Sequence, residues 1–203
     1  MKKAKNVIFY ALMFLLSFAM IFPFLWMIST SFKFDSQVFT TPIEWIPDPV
    51  NFSNYVKVWT EEPFLTFYKN TAFVAVFATV GQVIISAMAA YAFAKMKFTG
   101  RNIVFGLYLA TMMVPWNTIM IPQYQIISKL HLTDTHLALI LGQLASAFGI
   151  FLLRQFFMTV PDELVEAARI DGAGEGRTFA QIMLPLIKPG IVAMSIFTIK
   201  FAW

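Results

Sequence analysis

The sequence predicts an all-α, polytopic membrane helical bundle. Of its 203 residues, 59% are hydrophobic and only 13% are charged, and the mean hydropathy is +0.70. Soluble domains are typically about 45–50% apolar and about 25% charged. The apolar residues also fall in long uncharged runs separated by short charged segments, which is not the distribution of a soluble core. Lipid is therefore needed to cover the apolar surface.

Five apolar runs are long enough, or nearly so, to cross about 30 Å of hydrocarbon. They cover residues 7–32, 71–94, 103–122 and 136–153, and a fifth opens near Gly190. The first run follows lysines as a signal peptide does, but it is too long and lacks a small-residue cleavage site, so we expect a retained helix. Because a helix ending in lipid lacks polar anchors, we expect five of about six helices, in a chain that is incomplete at its C-terminus.

Two parts of the chain are expected. Residues 1–70 hold the first transmembrane helix and an external segment, whose prolines and aromatic residues favour turns and short interfacial helices. Residues 71–203 form the main transmembrane domain, with a cytoplasmic loop at 159–189. Within this domain Ser86, Ala90 and Ala94 recur every four positions, a spacing that permits close helix contact.

Basic residues are unevenly divided between the loops on the two sides of the membrane. Ten lie on the side of the amino terminus and four on the other. The ten are Lys2, Lys3, Lys5, Lys95, Lys97, Arg101, Arg154, Arg169, Arg177 and Lys188, and the four are Lys33, Lys57, Lys69 and Lys129. Because short basic loops remain in the cytoplasm, a cytoplasmic amino terminus is predicted. The net charge of +4 thus reflects topology, and nucleic acid is not an expected partner.

Several chemistries are excluded or disfavoured by the residues present. The chain has no cysteine, so disulfides and thiolate chemistry are ruled out. His131 and His136 lie beside Asp134 in an external loop, a pattern more typical of solvated surface than of a metal site. The glycine-rich residues 172–178 lack the lysine and the spacing of a phosphate-binding loop. We expect no catalytic residue, no metal and no cofactor bound by this chain.

The loop between the fourth and fifth runs has the chemistry of a structured element. Thr159 and Asp162, with Pro161 in the first turn, indicate the start of a short helix, and acidic residues follow where the helix dipole favours them. Gly172 suits a left-handed cap at the end of this helix. The sequence therefore predicts a short exposed helix that ends at Gly172.

This short helix is expected to present an apolar knob. Leu164, Ala167 and Ala168 are spaced at i, i+3 and i+4, which places them on one side of the helix. A narrow apolar projection of this kind suits a groove on another protein. Glycines at 172, 174 and 176 then allow the chain to reverse before the next helix.

The loop also carries a spaced motif: Glu166-Ala167-Ala168, three residues, Gly172, nine residues, Ile182, one residue, and Leu184-Pro185. This spacing resembles the EAA loop of ABC importer permeases. The residues Ala-Tyr-Ala-Phe-Ala at 90–94, the stretch 146–157 and Leu-Pro-Leu-Ile-Lys-Pro at 184–189 extend the resemblance to the carbohydrate-uptake branch. The chain is similar over nearly its whole length to the shorter of the two maltose-type membrane subunits.

The resemblance implies a type I importer transmembrane domain of six helices in a prokaryotic inner membrane. It implies three partners: a second permease, a dimer of ATPase subunits that holds ATP and magnesium, and an external sugar-binding protein. The coupling role of the family falls on residues 166–172, which dock in a cleft of the ATPase.

Two alternatives remain open beside a carbohydrate importer. The first is an ABC importer of amino acids, phosphate or metal, since only the resemblance favours sugar. The second is an ion-coupled secondary transporter. It is disfavoured because all eleven acidic residues lie outside the cores of the five runs, so no carboxylate is placed to carry an ion across the membrane. Lys200 is the one charge well inside a run, and we expect it to face the translocation path or the permease interface, unless the span is shifted and its side chain snorkels.

Overall fold

The computed structural model describes residues 2–203, with side chains from Lys5 onward, and every regular element in that range is helical. The α-helices are α1 Lys2–Ser31, α2 Ser53–Thr60, α3 Phe64–Lys95, α4 Arg101–Ala110, α5 Trp116–Lys129, α6 His136–Leu141, α7 Ala147–Thr159, α8 Glu163–Ile170, α9 Glu175–Arg177, α10 Leu184–Leu186 and α11 Lys188–Ala202. Short 3-10 helices cover Asp35–Gln37 and Thr111–Met113, and a π-helix covers Thr178–Met183. The all-α membrane fold predicted from the sequence is confirmed.

Two helices in the described range are long and apolar enough to cross a membrane, over Lys5–Ser31 and Phe64–Lys95. At 1.5 Å per residue, the 32 residues of α3 extend about 48 Å. The number rises to four if each of two bent pairs is one span. These pairs are Arg101–Met113 with Trp116–Lys129, bent by 102°, and Glu175–Leu186 with Lys188–Ala202, bent by 80°.

The third predicted run is helical but is not straight. Its bend lies at Val114 and Pro115, which separate the 3-10 helix from α5. Val114 is extended, with φ −79° and ψ 118°, because the ring of a following proline disfavours the helical conformation. Pro115 has no N–H to donate, and it takes the cap position of α5.

The prediction of one continuous helix over residues 136–153 is wrong. The backbone leaves the helical conformation between α6 and α7, at residues 142–146, and α7 then continues to Thr159. Ser146 is extended and acts as the N-cap of α7, since its Oγ accepts the Gly149 N–H at 3.0 Å. We call residues 142–146 the α6–α7 break.

By contacts between Cα atoms, the chain divides into two compact units, residues 1–66 and 67–203. In the first unit, the segment after α1 folds back onto the end of that helix. The Asn54 side chain donates to the carbonyl groups of Ser31 and Lys33 at 3.1 Å and 2.9 Å. Lys33 is 1% exposed, lies 4.4 Å from the Trp26 ring centroid and donates to the Glu44 carbonyl. The segment after α1 is thus folded, as the sequence predicted.

The second unit has an apolar core formed by residues of α3, α4, α7, α8, the π-helix and α11 and of the turns between them. Its buried members are Ala87, Ala90, Tyr91, Phe105, Ile150, Leu153, Phe157, Val160, Val165, Met183, Ile187 and Met194. Ser86 and Ala90 are fully buried on α3, which confirms the small-residue face. A Cβ at Gly149 would lie 2.4 Å from Met194 Cε and 3.0 Å from Ser86 Oγ, so α3, α7 and α11 meet around this glycine.

Candidate functional site: the loop at residues 159–189

The predicted short helix exists as α8, Glu163–Ile170, but its start differs from the prediction. Pro161 lies before the helix and not in its first turn, and Asp162 occupies the cap position, but its side chain accepts no capping hydrogen bond from the helix backbone. Thr159 belongs to α7, where its hydroxyl donates to the Phe156 carbonyl at 2.8 Å. Glu163 and Glu166 lie in the first turn and Arg169 in the last, an arrangement that the helix dipole stabilises.

The end of α8 matches the prediction. Gly172 has φ +79°, and its N–H donates to the Arg169 carbonyl at 3.0 Å. The N–H of Ala173 donates to the Ala168 carbonyl at 2.9 Å. These two bonds form a Schellman motif, in which a glycine takes the left-handed conformation at no steric cost.

The expected apolar knob on α8 is partly wrong. Ala168 is 4% exposed and, like Val165, packs inside this chain, so it cannot project toward a partner. Leu164, Ala167 and Ile170 are exposed. We call these three residues the α8 apolar face. Spacing alone did not show that the side of the helix containing Ala168 packs on its own protein.

Lys95, the last residue of α3, binds the residues that directly precede α8. Its Nζ donates to the Val160 carbonyl at 2.5 Å and forms an ion pair with the Asp162 carboxylate. The Lys95 side chain is only 5% exposed, while that of Asp162 is 77% exposed. The hydrogen bond and the charge of Lys95 hold the pKa of Asp162 below its usual range.

Tyr91, one turn earlier on α3, is attached to the segment after α8. Its hydroxyl donates to Glu175 Oε2 at 2.8 Å, and Arg169 donates to Glu175 Oε1 from Nη2 at 2.6 Å and from Nε at 3.1 Å. The Glu175 carboxylate raises the pKa of Arg169 above its usual range. Tyr91 and Lys95 are four residues apart on one face of α3, so α3 is bonded to residues on both sides of α8.

The second half of the motif lies outside α8. Ile182 is half-buried in the π-helix, which packs against α8, and Leu184 and Pro185 belong to α10. The Glu166 side chain is exposed on α8, and its carboxylate makes no hydrogen bond or ion pair with residues 5–203. The motif therefore combines an exposed helix with a packed segment that leads into α11.

Lys200 is exposed on α11, two residues from Thr198. Thr198, Met194 and Gly190 form the buried side of this helix, and a separation of two residues turns the side chain about 200° around the axis. Lys200 is therefore on the side away from the core of this chain. Among the side chains of residues 5–203, no group of three or more His, Asp or Glu has the geometry of a metal site.

Comparison with known proteins places the chain in a family. The model of the family described as the inner membrane component of binding-protein-dependent transport systems matches residues 82–203. The chain belongs to this family. This is the kind of family that the resemblance to the EAA loop predicted.

Named members of the permease family are similar to most of this chain. It is 41% identical over 175 residues to the sn-glycerol-3-phosphate transport system permease protein UgpE of Yersinia pestis, covering 83% of this chain and 62% of UgpE. It is 35% identical over 196 residues to the diacetylchitobiose uptake system permease protein NgcG of Streptomyces coelicolor, covering 96% of this chain and 65% of NgcG. The chain thus spans just under two thirds of the length of these relatives.

A solved structure shows the same fold. It is the crystal structure of a bacterial ABC transporter involved in the import of the acidic polysaccharide alginate, with a TM-score of 0.89 and 26% identity. The match covers 99% of this chain and 71% of the other. The overall arrangement of the helices in this chain is thus also found in the solved structure.

Neither the Tyr91 and Glu175 contact nor the Lys95 and Asp162 pair was predicted. The sequence contained one signal for each. Tyr91 is a hydroxyl-bearing residue on an otherwise small and apolar face, and Lys95 ends the run at the membrane boundary. Their partners lie 84 and 67 residues away, so spacing within one helix could not identify them.

Proposed function

We propose that this chain is a permease subunit of an ATP-driven, binding-protein-dependent carbohydrate importer. It forms the translocation path with a second permease, receives its substrate from an external sugar-binding protein, and is driven by a dimer of ATPase subunits that bind ATP and magnesium. The support for carbohydrate is the resemblance to the carbohydrate-uptake branch, together with relatives named for diacetylchitobiose and glycerol 3-phosphate transport and a structural neighbour named for alginate import.

The observation that carries the coupling proposal is the exposed α8 apolar face on a helix whose two ends are bonded to α3. Leu164, Ala167 and Ile170 offer a small apolar surface, with Ile170 86% exposed. A short amphipathic helix of this kind docks in a groove on a partner protein. The free carboxylate of Glu166 is suited to a basic or donor group on the ATPase. A displacement of α8 is then passed to α3 through Lys95 and Tyr91.

The test is reconstitution of the importer in proteoliposomes. The chain is assembled with its second permease, ATPase subunits and binding protein, and ATP hydrolysis and uptake are measured with diacetylchitobiose, maltose and glycerol 3-phosphate. We expect one of the two neutral carbohydrates to stimulate both activities. Stimulation by glycerol 3-phosphate alone would show that the substrate is a phosphorylated polyol and not a neutral carbohydrate. Uptake driven by an ion gradient without ATP would contradict the proposal of an ATP-driven importer.

The proposed orientation places residues near 97 and 172 in the cytoplasm and those near 50 and 131 outside. The absence of cysteine makes the chain suitable for single-cysteine labelling. In intact cells, Val50→Cys and His131→Cys are expected to react with an impermeant thiol reagent, while Lys97→Cys and Gly174→Cys remain unreacted. Reaction at 174 without reaction at 50 would reverse the orientation.

Lys200 is proposed to face the translocation path or the second permease, because its exposed side of α11 turns away from the core of this chain. A lysine facing lipid costs about 2.5–3.5 kcal/mol on insertion scales, so a polar neighbour is favoured. The Lys200→Met complex is expected to show altered uptake or altered substrate preference. Unchanged uptake and preference would indicate a side chain that snorkels to the interface.

A further inference from the structure

The α6–α7 break lies beside the middle of the long helix α3. Gln82 of α3 donates from Nε2 to the Gln143 carbonyl within the break at 2.7 Å. Gln82 is 18 residues from the start of α3 and 13 from its end, about 27 Å and 20 Å along the axis. Because α3 is long enough to cross the hydrocarbon, the break is near the centre of the membrane and not at its surface.

Amide and hydroxyl side chains gather at the break. The Thr198 hydroxyl lies 2.5 Å from Gln82 Oε1 and 3.0 Å from the Met194 carbonyl, so its single proton has two acceptors. Gln143 donates from Nε2 to the Leu139 carbonyl at 3.3 Å. Gln123 of α5 also reaches the break, since a Cβ at Gly142 would lie 2.3 Å from Gln123 Nε2. The cluster of Gln82, Gln123, Gln143 and Thr198, which we call the break cluster, contains no charged residue.

Several polar groups at or beside the break have no hydrogen-bond partner among the described residues. Gln143 Oε1 is buried without a donor, and so is the hydroxyl of Ser86, one turn from Gln82 on α3. The N–H groups of Ala145 and Ser146 have no acceptor. In hydrocarbon each such backbone group costs several kcal/mol, and irregular backbone at this depth occurs only where protein or a water-filled cavity covers it.

This chain does not itself cover the break. Gly142 and Ala145 are exposed, whereas Gly149 and Ile150, one turn into α7, are buried. Lipid would leave the amides unsatisfied, which leaves water or another polar ligand as the cover on this side, or else the second permease. Glutamine supplies both donors and an acceptor, and carbohydrate hydroxyl groups both donate and accept, so the two are complementary.

We propose that the α6–α7 break and the break cluster line the translocation path and bind hydroxyl groups of a neutral carbohydrate. This inference rests on the proposed importer function and specifies its substrate class. The cluster has no arginine or lysine to neutralise a phosphate or carboxylate, since Lys200 is on the opposite side of α11 from Thr198. A neutral sugar therefore suits the site better than an anionic one.

The first experiment measures water access in the assembled importer in proteoliposomes. Ala145→Cys is introduced with the other subunits free of reactive cysteine, and its labelling by methanethiosulfonate ethylsulfonate is followed without nucleotide and with ATP and vanadate. Ala87→Cys, at a site 2% exposed on α3, is the matched control. We expect labelling at 145 in at least one state and none at 87. Absence of labelling at 145 in both states, in a complex that imports with ATP, overturns this inference and leaves the proposed function standing.

The second experiment adds substrate. Diacetylchitobiose or maltose, delivered by the binding protein, is expected to slow the labelling of Ala145→Cys, and glycerol 3-phosphate is expected to leave it unchanged. Gln143→Leu keeps the backbone carbonyl that binds Gln82, and it is expected to raise the KM of carbohydrate uptake about tenfold. Gln125→Leu, an exposed glutamine on α5, is the control and is expected to leave KM unchanged.

The remaining outcomes are also decisive. Labelling at 145 that neither carbohydrate slows, or an unchanged KM in Gln143→Leu, overturns the binding role of the cluster. Protection by glycerol 3-phosphate alone overturns the neutral substrate class. A wild-type complex that shows no ATP-driven uptake of any of the three compounds refutes the proposed function, and this inference with it, before any cysteine is examined.

Discussion

Tyr91 and Glu175 are 84 residues apart in the sequence, yet the Tyr91 hydroxyl donates to Glu175 Oε2 at 2.8 Å. The other carboxylate oxygen accepts two hydrogen bonds from Arg169, the basic residue in the last turn of α8. A side chain on α3 is thereby joined through Glu175 to α8. Because Tyr91 is 3% exposed and its ring packs against Phe157 and Phe179, its hydroxyl has little freedom to form a hydrogen bond with another partner.

Tyr91→Phe is expected to weaken the transfer of motion from α8 to α3 while preserving the ring contacts. The loss of one hydrogen bond to a carboxylate is expected to reduce uptake several-fold to about tenfold, with more ATP hydrolysed per molecule imported. Uptake and ATP hydrolysis are measured in the same proteoliposomes. Tyr108→Phe, at a half-buried tyrosine of α4, is the matched control. An unchanged ratio of transport to hydrolysis in Tyr91→Phe would show that this contact is only structural.

The ion pair of Lys95 and Asp162 gives a pH dependence with a definite sign. The pKa of Asp162 is lowered in the folded protein, so the pair stabilises the fold above the unfolded pKa of about 3.9, and this stabilisation is lost as the pH falls through the folded pKa. Asp162→Asn is expected to lower the Tm of the purified permease at pH 7. The difference from the wild type is expected to begin to shrink near pH 4. A difference that is the same at pH 7 and at pH 3 would assign the effect to another contact.

Gly172 is expected to be sensitive to substitution because of its backbone and not because of crowding. A Cβ at this position would meet nothing within 4 Å, but φ is +79°. Gly172→Val is expected to cost about 1–3 kcal/mol and to displace α8, lowering uptake with near-normal abundance in the membrane. Gly172→Asn is expected to be milder, since asparagine tolerates this conformation better.

Gly174→Val is the control for that experiment. Gly174 has equally open surroundings, but its φ is −72°, which any residue adopts. Uptake is therefore expected to remain close to that of the wild type. Equal losses in Gly172→Val and Gly174→Val would indicate that bulk in the loop is harmful regardless of backbone conformation.

The sequence predicted those features that depend on local composition or on short spacing. Apolar runs predicted the helices, and Gly172 predicted the left-handed end of α8, because each signal lies within a few residues of its effect. The bend at Pro115 and the break at Ser146 also have local causes, but hydropathy averaged over a run conceals them. Ser146, which caps α7, lies inside an apolar run and is the signal that could have indicated the break.

The features that could not be predicted depend on distant contacts. The partners of Tyr91 and Lys95 come from the loop 159–189, and Ala168 is buried inside this chain. Amphipathic spacing shows that a helix has two sides, but it does not show which side packs on its own chain and which faces a partner. The α8 apolar face was therefore only partly recognised.

That distinction yields the last prediction, in which neighbouring alanines respond differently to the same substitution. Ala168 is 4% exposed inside this chain, so Ala168→Trp has no room, and overpacking is expected to cost about 1–3 kcal/mol or more and to reduce membrane abundance. Ala167 is exposed, so Ala167→Trp is expected to leave stability within about 0.5 kcal/mol of the wild type. Its indole instead projects from the α8 apolar face and is expected to hold the ATPase away.

The two variants are compared by membrane abundance, Tm, retention of ATPase subunits and uptake at equal permease amounts. Ala167→Trp is expected to be abundant and thermally stable but to lose the ATPase or to hydrolyse ATP without uptake, whereas Ala168→Trp is expected to be deficient in amount and in Tm. Full uptake by Ala167→Trp would show that the exposed side of α8 does not touch the ATPase. In that case the coupling surface must be sought elsewhere on the loop, because Val165 and Ala168 are already covered by this chain.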